Sequence, residues 1–163
     1  MNSDSICILT TGGTIDKVYF DAKSEYQVGR PVIEAILEEG GARFPFRIEP
    51  ILRKDSLDMS DEDRALIRQS VAEQEESKIL ITHGTDTMVE TAQALQGVAD
   101  KTVVLVGSLT PAHFKNSDAP FNIAFALGAL QCLPHGVYIA MNGMVFDPGA
   151  VRKNREKGCF ELA

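Results

Sequence analysis

The stretch ILTTGGTID, residues 8–16, sets an apolar run directly against two glycines held between threonines. The run it completes, residues 6–10, is continuous rather than alternating, as expected of a strand covered on both faces. Gly12 and Gly13 let the chain turn tightly where that strand ends, which exposes backbone N–H groups and presents Thr14 beside them. No lysine-bearing phosphate loop accompanies the turn. A strand end this rich in hydroxyls suits a small polar ligand better than a phosphate. Taken alone, the TGGT tetrapeptide is equally a turn whose threonines bond their own backbone.

Outward from this stretch, four more apolar runs cover residues 46–52, 78–83, 102–107 and 136–141. Apolar residues at helical spacing lie between them: Val32, Ile33, Ile36 and Leu37, then Met88, Thr91, Ala92 and Leu95, then Phe121, Ala124, Phe125 and Gly128. Ser60-Asp61-Glu62-Asp63 opens a further helix over residues 60–74, with its acids at the positive end of the helix dipole. This alternation predicts an α/β fold, a doubly wound and mostly parallel sheet with helices on both faces, flavodoxin-like, as one domain over residues 1–163. Ligands of such sheets bind outside the carboxyl ends of the strands. The hydroxyl-rich segments fall at those ends: residues 10–14, Ser56, residues 83–87 and residues 108–110. Residues 16–29, with Tyr19, Phe20 and Tyr26, show no clear period and are expected to form a mobile loop over the same face.

Composition narrows the partners. The chain has 163 residues, 44% of them hydrophobic and 24% charged, which is ordinary usage for a soluble domain with its own core. A formal net charge of −7 repels phosphate backbones and anionic membranes, so neither nucleic acid nor a membrane is an expected partner. Cys7, Cys132 and Cys159 are too far apart for any paired-ligand metal spacing and read as reduced thiols. The apolar stretch near the N-terminus is too short for a signal-peptide core, so a cytoplasmic location is expected.

His83-Gly84-Thr85-Asp86-Thr87-Met88 is the second chemically suggestive element, a strand end passing through glycine into a helix. Thr87 and Glu90 have capping-box spacing, and Asp86 suits a helix N-terminus by charge alone. In one doubly wound sheet this element and the TGGT turn would share a crevice, where two hydroxyls, a carboxylate and free N–H groups converge. An alkyl hydroxyl attacks a carbonyl only when a base removes its proton. His83 qualifies by type, but as the last residue of an apolar run it is expected to be packed. Lys153 sits in the run Arg152-Lys153-Asn154-Arg155, which by itself reads as solvated charge.

Taken in order, Thr11-Gly12-Gly13-Thr14-Ile15 and His83 to Met88 resemble the two signatures of bacterial L-asparaginases. The similarity continues through Ser56-Leu57-Asp58-Met59, Val106-Gly107-Ser108-Leu109-Thr110-Pro111, Asp118-Ala119-Pro120-Phe121-Asn122 and residues 147–154. It covers essentially the whole chain. What the resemblance implies is hydrolysis of L-asparagine to L-aspartate and ammonia without a metal or organic cofactor. Thr14 would be the nucleophile that forms an acyl-enzyme, and Tyr26 the loop tyrosine that assists it. Thr85, Asp86 and Lys153 resemble the family's second catalytic group, in which lysine and aspartate support a threonine hydroxyl that moves protons. The N–H of Thr85 would stabilise the oxyanion. Ser56 and the N–H groups around Gly13 and Gly84 would hold the substrate carboxylate, and Asp86 its ammonium.

Two departures stand out: Leu57 occupies a position where many members carry a glutamine that helps bind the ammonium, and Thr110 replaces a common arginine. The resemblance ends with the family's N-terminal domain, so the substrate wall lent by the usual second domain would be rebuilt by homo-oligomerisation or left open, and a homo-oligomer is expected by analogy. Two other functions fit the same motifs: the amidase component of a tRNA-dependent amidotransferase, and a non-catalytic amino-acid sensor on the same scaffold.

Overall fold

The computed structural model describes residues 4–163. Its centre is a six-stranded sheet of β1 (Ile6–Gly12), β4 (Phe46–Lys54), β5 (Lys78–Thr82), β6 (Thr102–Val106), β7 (Gly136–Met141) and β8 (Met144–Phe146), in the order β4-β1-β5-β6-β7-β8. The first five are parallel, and numbered among themselves they run 2-1-3-4-5, the flavodoxin-like order. All five predicted strands are present. The sixth, β8, returns antiparallel along β7 and caps that edge. Every residue of β1 is buried, and Ile8, Leu9, Leu80, Ile81, Val104 and Leu105 are fully enclosed, which is why these runs carry no polar alternation. Each such side chain contributes about 1.5–3 kcal/mol through burial.

Four helices cover the sheet: α1 (Ile33–Glu39), α2 (Asp61–Glu73), α3 (Met88–Leu95) and α4 (Ala119–Cys132). Ser60 caps α2 in a full capping box, its hydroxyl accepting from Asp63 N–H while the Asp63 carboxylate accepts from Ser60 N–H. Residues of α1 and α4 line one groove, so these helices share a face. On that face α1 leads from β1 to β4 while α4 leads from β6 to β7, in the opposite direction across the sheet. The two crossovers therefore have opposite hands, and one departs from the right-handed rule. The β6–α4 connection that results carries residues 107–118 across the carboxyl ends of the strands.

Residues 16–29 are not an irregular loop. They form an antiparallel hairpin of β2 (Lys17–Phe20) and β3 (Glu25–Val28), with Tyr19 opposite Tyr26 and Ser24 in the left-handed region at φ 50°. Its register rests on cross-strand pairing of aromatic rings rather than on one buried face, so it leaves no apolar period to read. A second hairpin, β9 (Val151–Asn154) with β10 (Cys159–Leu162), was equally silent in the sequence because charged residues dominate its outer side.

Candidate active site

Three strand ends meet through glycine. Gly13 has φ 90°, and a Cβ there would lie 2.5 Å from the backbone N and Cα of Gly84. A Cβ on Gly84 would in turn lie 2.7 Å from the Cβ and Oγ of Ser56. The turns after β1, β4 and β5 thus stack backbone to backbone, which only glycine permits at the first two positions. Gly13 N–H is fixed to Lys54 O at 2.9 Å, and the Thr11 hydroxyl donates to Thr82 O at 2.8 Å. Thr14, the next residue, opens a short 3₁₀ turn (Thr14–Asp16) at this junction and is half-buried.

Ser56 is buried, and its hydroxyl accepts from Thr87 N–H at 3.3 Å. The capping-box expectation at Thr87 fails. The Thr87 hydroxyl instead donates to Ser56 O at 2.8 Å and makes no cap bond, because the packing of Ser56 on Gly84 brings that carbonyl within reach. Thr85 is buried two residues ahead of Thr87, the N-cap of α3.

Lys153 completes the cluster. Its Nζ donates to Thr85 Oγ1 at 2.7 Å and to Asp86 Oδ1 at 2.9 Å. The solvated-charge interpretation is excluded by exposure: the Lys153 side chain is 16% exposed, against 64% for Arg152 and 66% for Arg155. Alternation along β9 turns Lys153 to the same side as buried Val151 and sends Arg152 outward. Two long-range bonds hold this hairpin in place, from Gln93 Nε2 to Pro148 O at 3.0 Å and from Phe160 N–H to Asn142 Oδ1 at 2.7 Å. Glu161 gathers Arg152, Asn154 and Lys157 on the outer side, and these donors hold its carboxyl down at about 2.

Sequence reasoning missed Arg155, whose guanidinium lies 3.2 Å from Asp86 Oδ1, the oxygen that Lys153 also contacts. The i, i+2 spacing from Lys153 was the available signal. It missed as well why residues 118–122 matter. The Asp118 carboxylate accepts from Leu109 N–H at 2.9 Å and Thr110 N–H at 3.0 Å, while Asn122 Nδ2 donates to Gly107 O and Asp118 Oδ2. These side chains lock the loop after β6 against the others.

Among the described residues Tyr26 makes no hydrogen bond to the Thr85 cluster. It is exposed on β3, with its ring 5.4 Å from Tyr19 and 6.0 Å from Phe114, and among the described residues no hydrogen bond joins it to Thr14. Leu57 is 63% exposed and contributes no polar group. The Thr110 carbonyl accepts from the Ser108 and Ser117 hydroxyls, so that residue serves the loop through its backbone. Among the described residues no group of three or more histidine, cysteine or carboxylate side chains is placed to hold a metal ion.

His83 is fully buried. Nδ1 is 2.7 Å from Gly84 O and Nε2 is 2.8 Å from Thr91 Oγ1, so the neutral ring donates from Nδ1 and accepts at Nε2. Burial pushes it down to about 4, and the Arg64 charge adds to this while the Gly84 carbonyl opposes it. The unfolded ring takes a proton near 6.5 and the folded one only near 4, so the unfolded state binds more protons in that window and acid destabilises the fold. Relative to His83→Gln, the wild type is expected to lose about 3 kcal/mol between those pH values, measured by urea unfolding. An unchanged difference across the window would show that His83 is not held neutral. The comparison with a variant is needed because Asp16 acts in the opposite sense. Burial raises its carboxyl to about 6, against a bond from Val32 N–H and the Arg53 charge, so its contribution to stability falls as pH rises from its ordinary 3.8 to about 6.

Residues 5–160 match the family model described as Asparaginase, N-terminal. The chain belongs to the asparaginase family. This asparaginase-family chain is 35% identical over 160 residues to the Probable L-asparaginase periplasmic of Haemophilus influenzae, which covers 91% of this chain and 46% of that protein. It is 36% identical over 147 residues to the L-asparaginase of Thermococcus kodakarensis, covering 83% of this chain and 43% of that one. The solved structure of the thermostable L-asparaginase from Thermococcus kodakarensis superposes with a TM-score of 0.82 at 30% identity, over 97% of this chain and 51% of the other. The chain spans about half the length of the relatives it matches. Similarity also extends to a Glutamyl-tRNA(Gln) amidotransferase component of Thermoplasma acidophilum, 32% identical over 133 residues, 75% of this chain and 31% of that one.

Proposed function

We propose that this chain is the N-terminal-type catalytic unit of an amidohydrolase that converts L-asparagine to L-aspartate and ammonia. The observation that carries this is the pairing of Lys153 with both Thr85 and Asp86 beside the glycine junction that presents Thr14. Binding alone does not require a mostly enclosed lysine bonded to a threonine hydroxyl.

In the proposed reaction the Thr14 hydroxyl attacks the side-chain amide carbon, giving a tetrahedral intermediate whose oxyanion is met by the N–H of Thr85. Ammonia leaves after protonation, and water then hydrolyses the remaining acyl-enzyme, releasing L-aspartate and restoring the Thr14 hydroxyl. Thr85 relays protons to and from Lys153, whose place is fixed by Asp86. Asp86 uses Oδ1 for Lys153 and Arg155, which leaves Oδ2 for the substrate ammonium. Ser56 and the N–H of Gly84 take the substrate carboxylate, whereas the Gly13 N–H expected to join them is already held by Lys54 O. Tyr26, carried on the β2–β3 hairpin, assists Thr14 in this scheme. No cofactor enters this scheme.

A cytoplasmic setting and self-association belong to the same proposal. A solved relative is titled Probable Cytoplasmic L-asparaginase from Campylobacter jejuni, and a curated one is periplasmic. No helix among the described residues is long and apolar enough to cross a membrane. Exposed Phe121 and Leu162 support contact with a second copy.

Ammonia release from L-asparagine and L-glutamine by the purified chain tests the proposal. Release from asparagine is the expected result. If neither free amide is consumed, the similarity to the tRNA-linked amidotransferase makes that class the next to assay.

A further inference from the structure

The short turn that presents Thr14 ends at Asp16, and Asp16 is where the aromatic hairpin both departs and returns. Lys17, the first residue of β2, follows it directly. Past β3, Gly29 N–H donates to the Asp16 carbonyl at 2.7 Å, and Val32 N–H donates to Asp16 Oδ1 at 2.9 Å. The Asp16 N–H itself donates to Gly13 O at 3.2 Å, and Ala112 N–H donates to Ile15 O at 3.1 Å. One residue thus ties the hairpin, the start of α1 and the Thr14 turn together. Asp16 is only 2% exposed, yet it borders a cavity of about 260 Å³ with Gly12, Gly29, Pro31, Ile51 and Arg53. A buried carboxyl is a costly choice for a purely structural tie, since an amide would accept the same N–H without ever carrying charge.

We propose that Asp16 is a positioning residue: its carboxyl, through Val32 N–H, closes the foot of the segment that bears Tyr26 onto the turn that bears Thr14, and ionisation loosens this clasp so that the segment can move.

Two effects compete when the carboxyl loses its proton. The Val32 N–H is accepted more strongly by a carboxylate, but the charge is left enclosed and is better solvated once the clasp opens. Asp16 is only 2% exposed, and Val32 N–H is the one hydrogen-bond donor to its carboxyl among the described residues. Enclosure therefore outweighs the bond and raises the carboxyl to about 6, so the closed clasp holds the proton more tightly than an open one exposed to water. The charged groups facing this region are Arg53 from β4, in the same cavity, and the Lys17–Asp55 ion pair at 2.6 Å. Burial alone would raise Asp55, but the bonds from Lys17 and Leu57 N–H outweigh it and hold its carboxyl below the usual range, so it stays ionised through the window. Arg30, Glu39 and His113 line the adjoining cavity with Val32. His113 places an imidazole in that cavity, so its replacement is the control.

The catalytic consequence rests on the amidohydrolase proposal, but the structural one does not, so two readouts are taken. Amide hydrogen exchange reads the clasp at Val32 in the wild type. Its protection factor, corrected for intrinsic rate, should fall roughly tenfold from about pH 5 to about pH 7 as the open form gains the ionised carboxylate. The fall should persist in His113→Gln and vanish in Asp16→Asn, which keeps the acceptor and cannot ionise. Trypsin cleavage at exposed Lys23, in the hairpin turn, should accelerate over the same range relative to an unstructured control peptide. Where the chain hydrolyses an amide, kcat/KM should rise with pH near 6 in the wild type, and that rise should be flattened in Asp16→Asn. A Val32 protection factor that is flat or climbs with pH in the wild type overturns the proposal, whatever the activity and whether or not the variant folds. So does a transition that disappears with His113→Gln. If exchange behaves as described and no amide is hydrolysed, the clasp stands and the assignment of function falls.

Discussion

Thr14→Ala is expected to lower ammonia release from L-asparagine by roughly a thousandfold or more, because it removes the hydroxyl proposed to form the acyl-enzyme. The fold should survive. Thr14 follows Gly13 at the junction, but the close packing there is made by Gly13, Gly84 and Ser56, none of which is altered. Loss of turnover with an unchanged unfolding midpoint is therefore the expected pair of results. A burst of ammonia before the steady state in the wild type, absent in the variant, would tie the loss to acyl-enzyme formation. An alanine variant with wild-type turnover removes Thr14 from the reaction and leaves Thr85 as the hydroxyl to consider.

The second large effect concerns Lys153. Replacing it with methionine keeps the length and apolar stem of a mostly enclosed side chain while deleting the amine that contacts Thr85 and Asp86. A proton-transferring group of this kind contributes about 10²- to 10⁴-fold, so kcat should fall by that factor. KM should change less, because Arg155 still neutralises Asp86 in the variant. A variant whose KM rises while kcat holds would make Lys153 a binding residue and contradict its proton-moving role. Stability is expected to drop only modestly, since Asp86 is partly exposed and its charge keeps a partner and solvent.

These two residues show how differently the sequence exposed its site. The turn that carries Thr14 was legible because two glycines close a continuous apolar run there, and the turn they predict is the one observed, although the tetrapeptide alone did not separate a reactive hydroxyl from one bonded to backbone. Lys153 was not legible from its surroundings. It stands among Arg152, Asn154 and Arg155, and only the family resemblance singled it out. What separates it from its neighbours is the pleat of a hairpin whose second strand lies several residues further on, a relation that local charge patterning does not encode. The same limit hid the β2–β3 hairpin and the buried position of Asp16.

By itself, the sequence determined the five parallel strands, their order of appearance, the four helices and the presence of two hydroxyl-bearing turns. Continuous apolar runs, caps and glycines are local features, and burial on both faces of a sheet rewards them wherever they occur. Tertiary structure alone decided that Gly13 rests on Gly84 and Gly84 on Ser56, that Lys153 reaches Thr85 from 68 residues away, and that Asp16 closes a hairpin onto its own turn. Those contacts join segments distant in the chain, and their geometry is set by sheet order and crossover hand, which no short stretch of residues contains.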